Sequence, residues 1–229
     1  MMKNNSVSAR RIIVAPAMVI PGIAAVLYFN VLDGMFAARV VYLAAKVFIL
    51  LYPLAFIRVC RLPGKAFAFN VREASLGTAA GALILITGAL GLQLTALWEV
   101  ISGASEFARH KAETFGVLLY YVPFAFIISF IHSLLEEYYW RWFVYGTLRS
   151  IVPRGGAHIL AAAAFALHHI VVLKFFFPWP VTLILAAAVV LGGVLFSFLY
   201  QRHDCVWGAW AAHVGADLVI FYAGWKMLF

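Results

Sequence analysis

Seven stretches of the chain are apolar almost without interruption: 11–32, 39–59, 75–98, 116–148, 156–176, 181–201 and 206–228. Each offers the roughly 20 apolar residues that a membrane-crossing helix needs. The pattern therefore predicts an all-α fold, a polytopic transmembrane helix bundle of about seven spans. The fourth stretch is too long for one straight span. It is expected to tilt or to run past the headgroups, with Glu136 to Arg149 as its polar end. Pro178 and Pro180 in "FFFPWPV" punctuate the turn between the fifth and sixth spans. The opening "MMKNNSVSARR" before an apolar run resembles a signal peptide, but Pro16 and Pro21 break that run and no small-residue cleavage site follows. It reads as a retained first helix.

Composition supports the pattern. The chain is 66% hydrophobic and 11% charged, with a mean hydropathy of +0.98. Soluble domains are about 45–50% apolar and about 25% charged. The net charge of +8 is spread over short connections, which speaks against nucleic acid as a partner and for cytoplasmic loops. Lys3, Arg10 and Arg11 precede the first span; Arg58, Arg61, Lys65 and Arg72 follow the second; Arg149 and Arg154 follow the fourth; Arg202 follows the sixth. This alternation predicts a cytoplasmic N-terminus and an outer C-terminus; the short chain, seven spans and minimal loops suggest a bacterial protein, hence the inner membrane. The third connection balances Arg109 and Lys111 against Glu99, Glu106 and Glu113 and belongs outside. Cys60 and Cys205 lack metal-type spacing and read as unpaired thiols. "GTAAG" (Gly77 to Gly81) offers a face for close helix packing.

Ionisable groups inside spans need a reason. Lys46, Arg39, Lys174 and Lys226 lie near span ends, where long side chains snorkel. His158, His203 and His110 fall near or in connections. There remain His132, Glu136, Glu137, Arg141, His168, His169, His213 and Asp217, on the fourth, fifth and seventh spans. His169 lies about 13 residues into its helix, roughly 20 Å at 1.5 Å per residue. Glu136 and His213 fall at comparable depth on the cytoplasmic side, so one water-accessible pocket is expected to collect all three. Glu137 and Arg141, four residues apart, share a helix face and are expected to pair. Glu136 points about 100° away and keeps a free carboxylate. His132 lies one turn outward from it. Asp217 lies one turn beyond His213 and can orient its imidazole. Phe165 lies one turn before His169 and can wall the pocket.

A glutamate with two histidines from separate helices suits hydrolysis in two ways. The carboxylate can act as general base on water while a histidine stabilises the oxyanion. Alternatively, Glu136, His169 and His213 can hold a divalent metal such as zinc; under the first mechanism no cofactor is required. No H-E-x-x-H, G-x-S-x-G or G-x-G-D is present. A proton-coupled carrier would use the same groups as a relay, although no inverted repeat is visible. A non-catalytic scaffold or immunity protein would keep the cluster for packing alone.

Three motifs favour the enzyme. "EEYYWR" (Glu136 to Arg141) fits E-E-x-x-x-R, "FALHH" (Phe165 to His169) fits F-x-x-x-H, and "HVGAD" (His213 to Asp217) fits H-x-x-x-N/D. In this order, on successive intramembrane helices, they resemble the CAAX-protease and bacteriocin-processing (Abi) family over about residues 116–228. The resemblance implies an intramembrane endopeptidase with a catalytic four-helix core at 116–229, preceded by three helices at 1–115. It implies Glu136 as general base, His169 as its aid in activating water, His213 with the last motif residue at the oxyanion, and Glu137 and Arg141 as supports. Asp217 stands where eukaryotic-type members have Asn, so its role is expected to be orienting His213. The implied partners are the lipid bilayer and a membrane-anchored protein or peptide, cleaved in CAAX-like, C-terminal sorting-signal or bacteriocin-type processing.

Overall fold

Each apolar stretch forms a helix. The computed structural model describes residues 2–114 and 116–229. Helix α1 (Met2–Val26) continues as one wide i→i+5 turn, Leu27–Val31. Helices α2 (Phe36–Cys60) and α3 (Val71–Leu94) follow. Two short helices, α4 (Leu97–Ser102) and α5 (Ser105–Thr114), fill the third connection. A continuous helical segment, α6 (Leu118–Leu148), precedes α7 (Arg154–Phe176), α8 (Trp179–Gln201) and α9 (Val206–Leu228). Among the described residues seven of these are long and apolar enough to cross a membrane, namely α1, α2, α3, α6, α7, α8 and α9. The expected all-α, multi-pass bundle is thus present.

Helix α3 starts four residues before its apolar run because a polar turn caps it. Asn70 precedes α3 in an extended conformation, and its side chain accepts the Arg72 and Glu73 backbone N–H groups at 3.1 and 3.2 Å. The proline pair sits at the start of α8, where a missing N–H is harmless.

Basic connections gather at one end of the bundle. There Arg10 Nε donates to Val59 O (3.2 Å), Trp142 Nε1 to Pro63 O (2.9 Å) and Trp207 Nε1 to Phe67 O (3.1 Å). Cys60 and Cys205 are buried and unpaired. At the opposite end α4 and α5 cover Leu92, Val181 and Met227. The core lies around α6. Tyr139 Oη donates to Ala17 O, Tyr138 Oη to Leu50 O and Trp210 Nε1 to Phe130 O. These bonds tie α1, α2 and α9 to α6.

Helix α3 lies along α9, with glycines at the seam. A Cβ on Gly77 would overlap the Gly208 backbone, and one on Gly215 would overlap Gly81. Backbones this close replace hydrophobic driving force with dispersion over the whole contact, as small-residue seams in membranes do. The "GTAAG" face therefore fixes the helix that carries His213. Gly77→Leu is expected to lower the thermal midpoint of purified protein in detergent sharply. Gly91→Leu, which meets open space, is expected to leave it unchanged. Equal midpoints for the two variants would remove the seam from the account.

Candidate active site

The site is set by the winding of α6. Ile127–His132 and Glu137–Tyr145 follow i→i+5 hydrogen bonding, on either side of one α turn, Ser133–Glu136. Such wide turns recur at functional sites. The Ser133 hydroxyl donates back to Ser129 O at 2.5 Å, a bond of the kind that bends helices. The bulky run Tyr138 to Phe143 then fills the wider turn, and every residue from Tyr139 to Leu148 is buried. The two adjacent glutamates leave this segment into different surroundings.

Glu136, 7% exposed, faces three histidines. His168 Nε2 of α7 lies 3.2 Å from its Oε1. His132 Nε2, one turn back on α6, lies 3.7 Å from the same oxygen, and His213 Nε2 of α9 lies 3.6 Å from Oε2. A carboxylate only accepts, so His168 donates through Nε2. Its ring stacks parallel to Trp140, with centroids 5.6 Å apart.

Glu137 is fully buried. Its Oε1 accepts from His213 Nδ1 at 2.7 Å and lies 3.1 Å from Arg141 Nη1. The Arg141 guanidinium is held between the rings of Phe165 (4.5 Å) and Phe196 (5.0 Å). Its other N–H groups thus face π-electrons, and cation–π attraction in a desolvated site offsets part of the burial cost. Phe196 also stacks on the His213 imidazole at 4.9 Å. Asp217 Oδ1 lies 3.6 Å from His213 Nε2.

His169 Nδ1 donates to Phe165 O at 2.9 Å. That bond fixes the tautomer and leaves the Nε2 lone pair free. Its ring lies 4.0 Å, centroid to centroid, from that of His168. One ligand atom from each of Glu136, His168 and His169 falls within 4.8 Å of the others, the one group of metal-ligand type among the described residues. The sequence expectation named His213 in place of His168; His213 Nε2 also faces this carboxylate, 3.6 Å from Glu136 Oε2.

All the residues singled out in the sequence therefore meet: Glu136, Glu137, Arg141, Phe165, His169, His213 and Asp217. Glu136 is not the free carboxylate that helical spacing implied. His132 joins them through Glu136. His168, to which the three motifs give no role, is the nearest partner of Glu136. Two residues that the sequence did not place at the site also join them. Phe196 comes from α8, whose sequence shows only an apolar run. Lys46 of α2 does not snorkel: its Nζ lies 3.3 and 3.5 Å from the two ring nitrogens of His132.

A multi-pass helical membrane protein with a carboxylate–histidine centre among its spans is the class this fold and site define. Residues 118–219 match the family described as type II CAAX prenyl endopeptidase Rce1-like, so the C-terminal half carries the signature of the CAAX-protease family that the three motifs resemble. The match indicates a protease, and with seven apolar helices it supports a CAAX-type intramembrane endopeptidase. Neither the curated proteins nor the solved structures contained a match to the chain.

Proposed function

We propose that the protein hydrolyses a peptide bond near the membrane-associated end of a protein or peptide, with water activated by Glu136. One observation carries the reading. A buried glutamate faces histidines from its own helix and from α7 and α9. Glu136 takes a proton from water as the oxygen adds to the scissile carbonyl. His169, whose Nδ1–H donates to Phe165 O, turns the Nε2 lone pair of its neutral ring toward the water and accepts a hydrogen bond from the O–H that stays on the attacking oxygen. His213, acting as an imidazolium, donates Nδ1–H to Glu137 and presents Nε2–H, oriented by Asp217, to the developing oxyanion. Glu136 then returns its proton to the amine as the C–N bond breaks. Glu137 and Arg141 position His213. The acid at 217 acts through His213, which suits its 3.6 Å separation.

The donor set also fits a divalent metal. Glu136, His168 and His169 would hold it, and the His169 Nδ1 bond to a carbonyl is the usual outer-shell arrangement. His168 Nδ1 has no hydrogen-bond partner among the described residues, so that arrangement is half complete. Such a metal would supply Lewis-acid activation of the water. The gathering of basic residues at one end supports a cytoplasmic N-terminus.

The test uses the full chain in nanodiscs with prenylated CAAX-ended peptides, their unprenylated counterparts and anchored peptides with basic tails. Mass spectrometry is expected to show one internal bond cleaved, with oxygen from labelled water in the new carboxylate. Under the glutamate mechanism, exhaustive chelation changes the rate less than twofold. Loss on chelation, restored by zinc, replaces that mechanism with the metal one. Absence of cleavage by folded protein across the whole set would overturn the reading.

A further inference from the structure

Beyond the site between the spans, the basic end of the bundle holds a cavity of about 490 Å³ lined by Tyr145, Arg149, Ser150, Arg154, Gln201 and Arg202. Its volume falls in the range of small-ligand sites. It lies where α6 and α8 end and α7 begins, just beyond the apolar spans. We propose that this cavity binds the phosphate group of an anionic phospholipid.

Arg149 is committed. Its Nη1 meets Asp204 Oδ1 at 2.5 Å, and its guanidinium lies over the Tyr145 and Tyr200 rings at 5.9 and 5.7 Å. Burial works against this charge, but the Asp204 hydrogen bond and charge outweigh it and hold the Arg149 pKa above its ordinary value. The other two arginines are under-compensated. Arg202 Nε lies 3.9 Å from Glu73 Oε1, an oxygen already engaged by His203 Nδ1 at 2.7 Å. Arg154 has no ion-pair partner among the described residues. Three cations thus line one cavity, with Asp204 paired to Arg149 and Glu73 shared between His203 and Arg202.

The neutral lining consists of donors as well. Gln201 Oε1 accepts from Tyr145 Oη at 3.1 Å and lies 3.1 Å from His158 Nε2, which leaves the Gln201 amide N–H groups for a ligand. Tyr145 stacks on His158, itself 4% exposed, so this wall is rigid. Arg154 is also the first residue of α7, and no side chain caps that helix. Ala157 N–H is bonded to Pro153 O, so the free N–H groups are those of Arg154, Gly155 and Gly156. Nothing lies within 4 Å of where a Cβ would stand on either glycine, and an oxyanion can reach the backbone. Guanidinium forks, an amide and an open helix start together select a phosphate. Basic pockets between membrane helices take anionic headgroups in this way. Snorkelling alone would turn the arginines outward, each to its own lipid, rather than toward one cavity.

The test is retention of lipid by the purified full chain, read by native mass spectrometry, with phosphatidylglycerol against phosphatidylcholine of the same acyl chains. The wild type is expected to retain phosphatidylglycerol preferentially. Arg154→Gln and Arg202→Gln, both at exposed positions, are expected to lower that preference about fivefold each. Arg154→Lys is expected to lower it less. Thermal midpoints in phosphatidylcholine report that the variants fold. Displacement of the lipid by millimolar inorganic phosphate, or stabilisation by phosphate alone, would assign the same oxyanion chemistry to the free ion. No preference in the wild type, or equal preference in the double variant, overturns the proposal. Neither result bears on peptide hydrolysis.

Discussion

Glu136→Gln is expected to leave the chain folded and to lower peptide hydrolysis by about 10²- to 10⁴-fold, the contribution of a positioned general base. The substitution keeps shape and keeps an oxygen able to accept from His168, whose Nε2 is 3.2 Å away. Packing is therefore retained while basicity is removed. The loss should fall on kcat, because the carboxylate acts on water and makes no contact needed to hold the substrate. A metal ligand would behave differently, since Gln at 136 would then also lower the retained metal. Hydrolysis within tenfold of wild type would sink the role of Glu136 and with it the proposed mechanism. His168→Ala separates the readings further. Under the glutamate mechanism it removes one neighbour of the base and costs less than Glu136→Gln. Under the metal mechanism it removes a ligand and costs about as much.

The sequence shows the spans because bilayer thickness imposes length and apolarity on each of them. It shows the glutamates and histidines because polar groups at such depth have few other reasons to exist. The misplacements have a local cause. Regular helical geometry sets Glu136 and Glu137 about 100° apart and puts His132 on nearly the face of Glu136, and that neighbour is found, but α6 changes winding on both sides of Ser133–Glu136. Faces counted across those turns drift, and Glu136 meets His132, His168 and His213 together. The Phe165 spacing points to His169, whereas its ring bonds that helix's own carbonyl and His168 reaches the carboxylate. Phe196 could not be chosen from an apolar run, since nothing in the run marks the residue that meets a guanidinium. Lys46 looked like a snorkelling residue because snorkelling needs only a span end. Its actual partner, His132, is 86 residues away in the chain. The arginine cavity was hidden in a different way. Arg149, Arg154 and Arg202 serve the positive-inside pattern one by one, and only the fold brings two connections together.

Arg141→Ala is expected to destabilise the protein by about 3–5 kcal/mol, the cost of leaving one buried charge without its partner. Arg141 is 1% exposed and Glu137 is fully buried. Removing the guanidinium leaves Glu137 with His213 as its one remaining partner among the described residues, and leaves a cavity between Phe165 and Phe196. Arg141→Lys should recover only part of the loss, because an ammonium does not fill the flat space between two rings or match a carboxylate as a guanidinium does. The pair Glu137→Gln with Arg141→Met removes both charges at similar volume. It should restore most of the stability, since replacing a buried pair together costs far less than breaking it. Activity should stay low in that double variant. His213 would lose the carboxylate that holds Nδ1–H, and the donor offered to the oxyanion would no longer be fixed. Denaturant titration in mixed micelles reads the first effect and peptide cleavage the second. A folded, stable double variant with full activity would show that Glu137 and Arg141 serve packing alone. A double variant as unstable as Arg141→Ala would show that the ion pair is not the source of the loss. The expected split, with stability regained and catalysis not, is what distinguishes a pair that positions His213 from one that only allows charge inside the membrane.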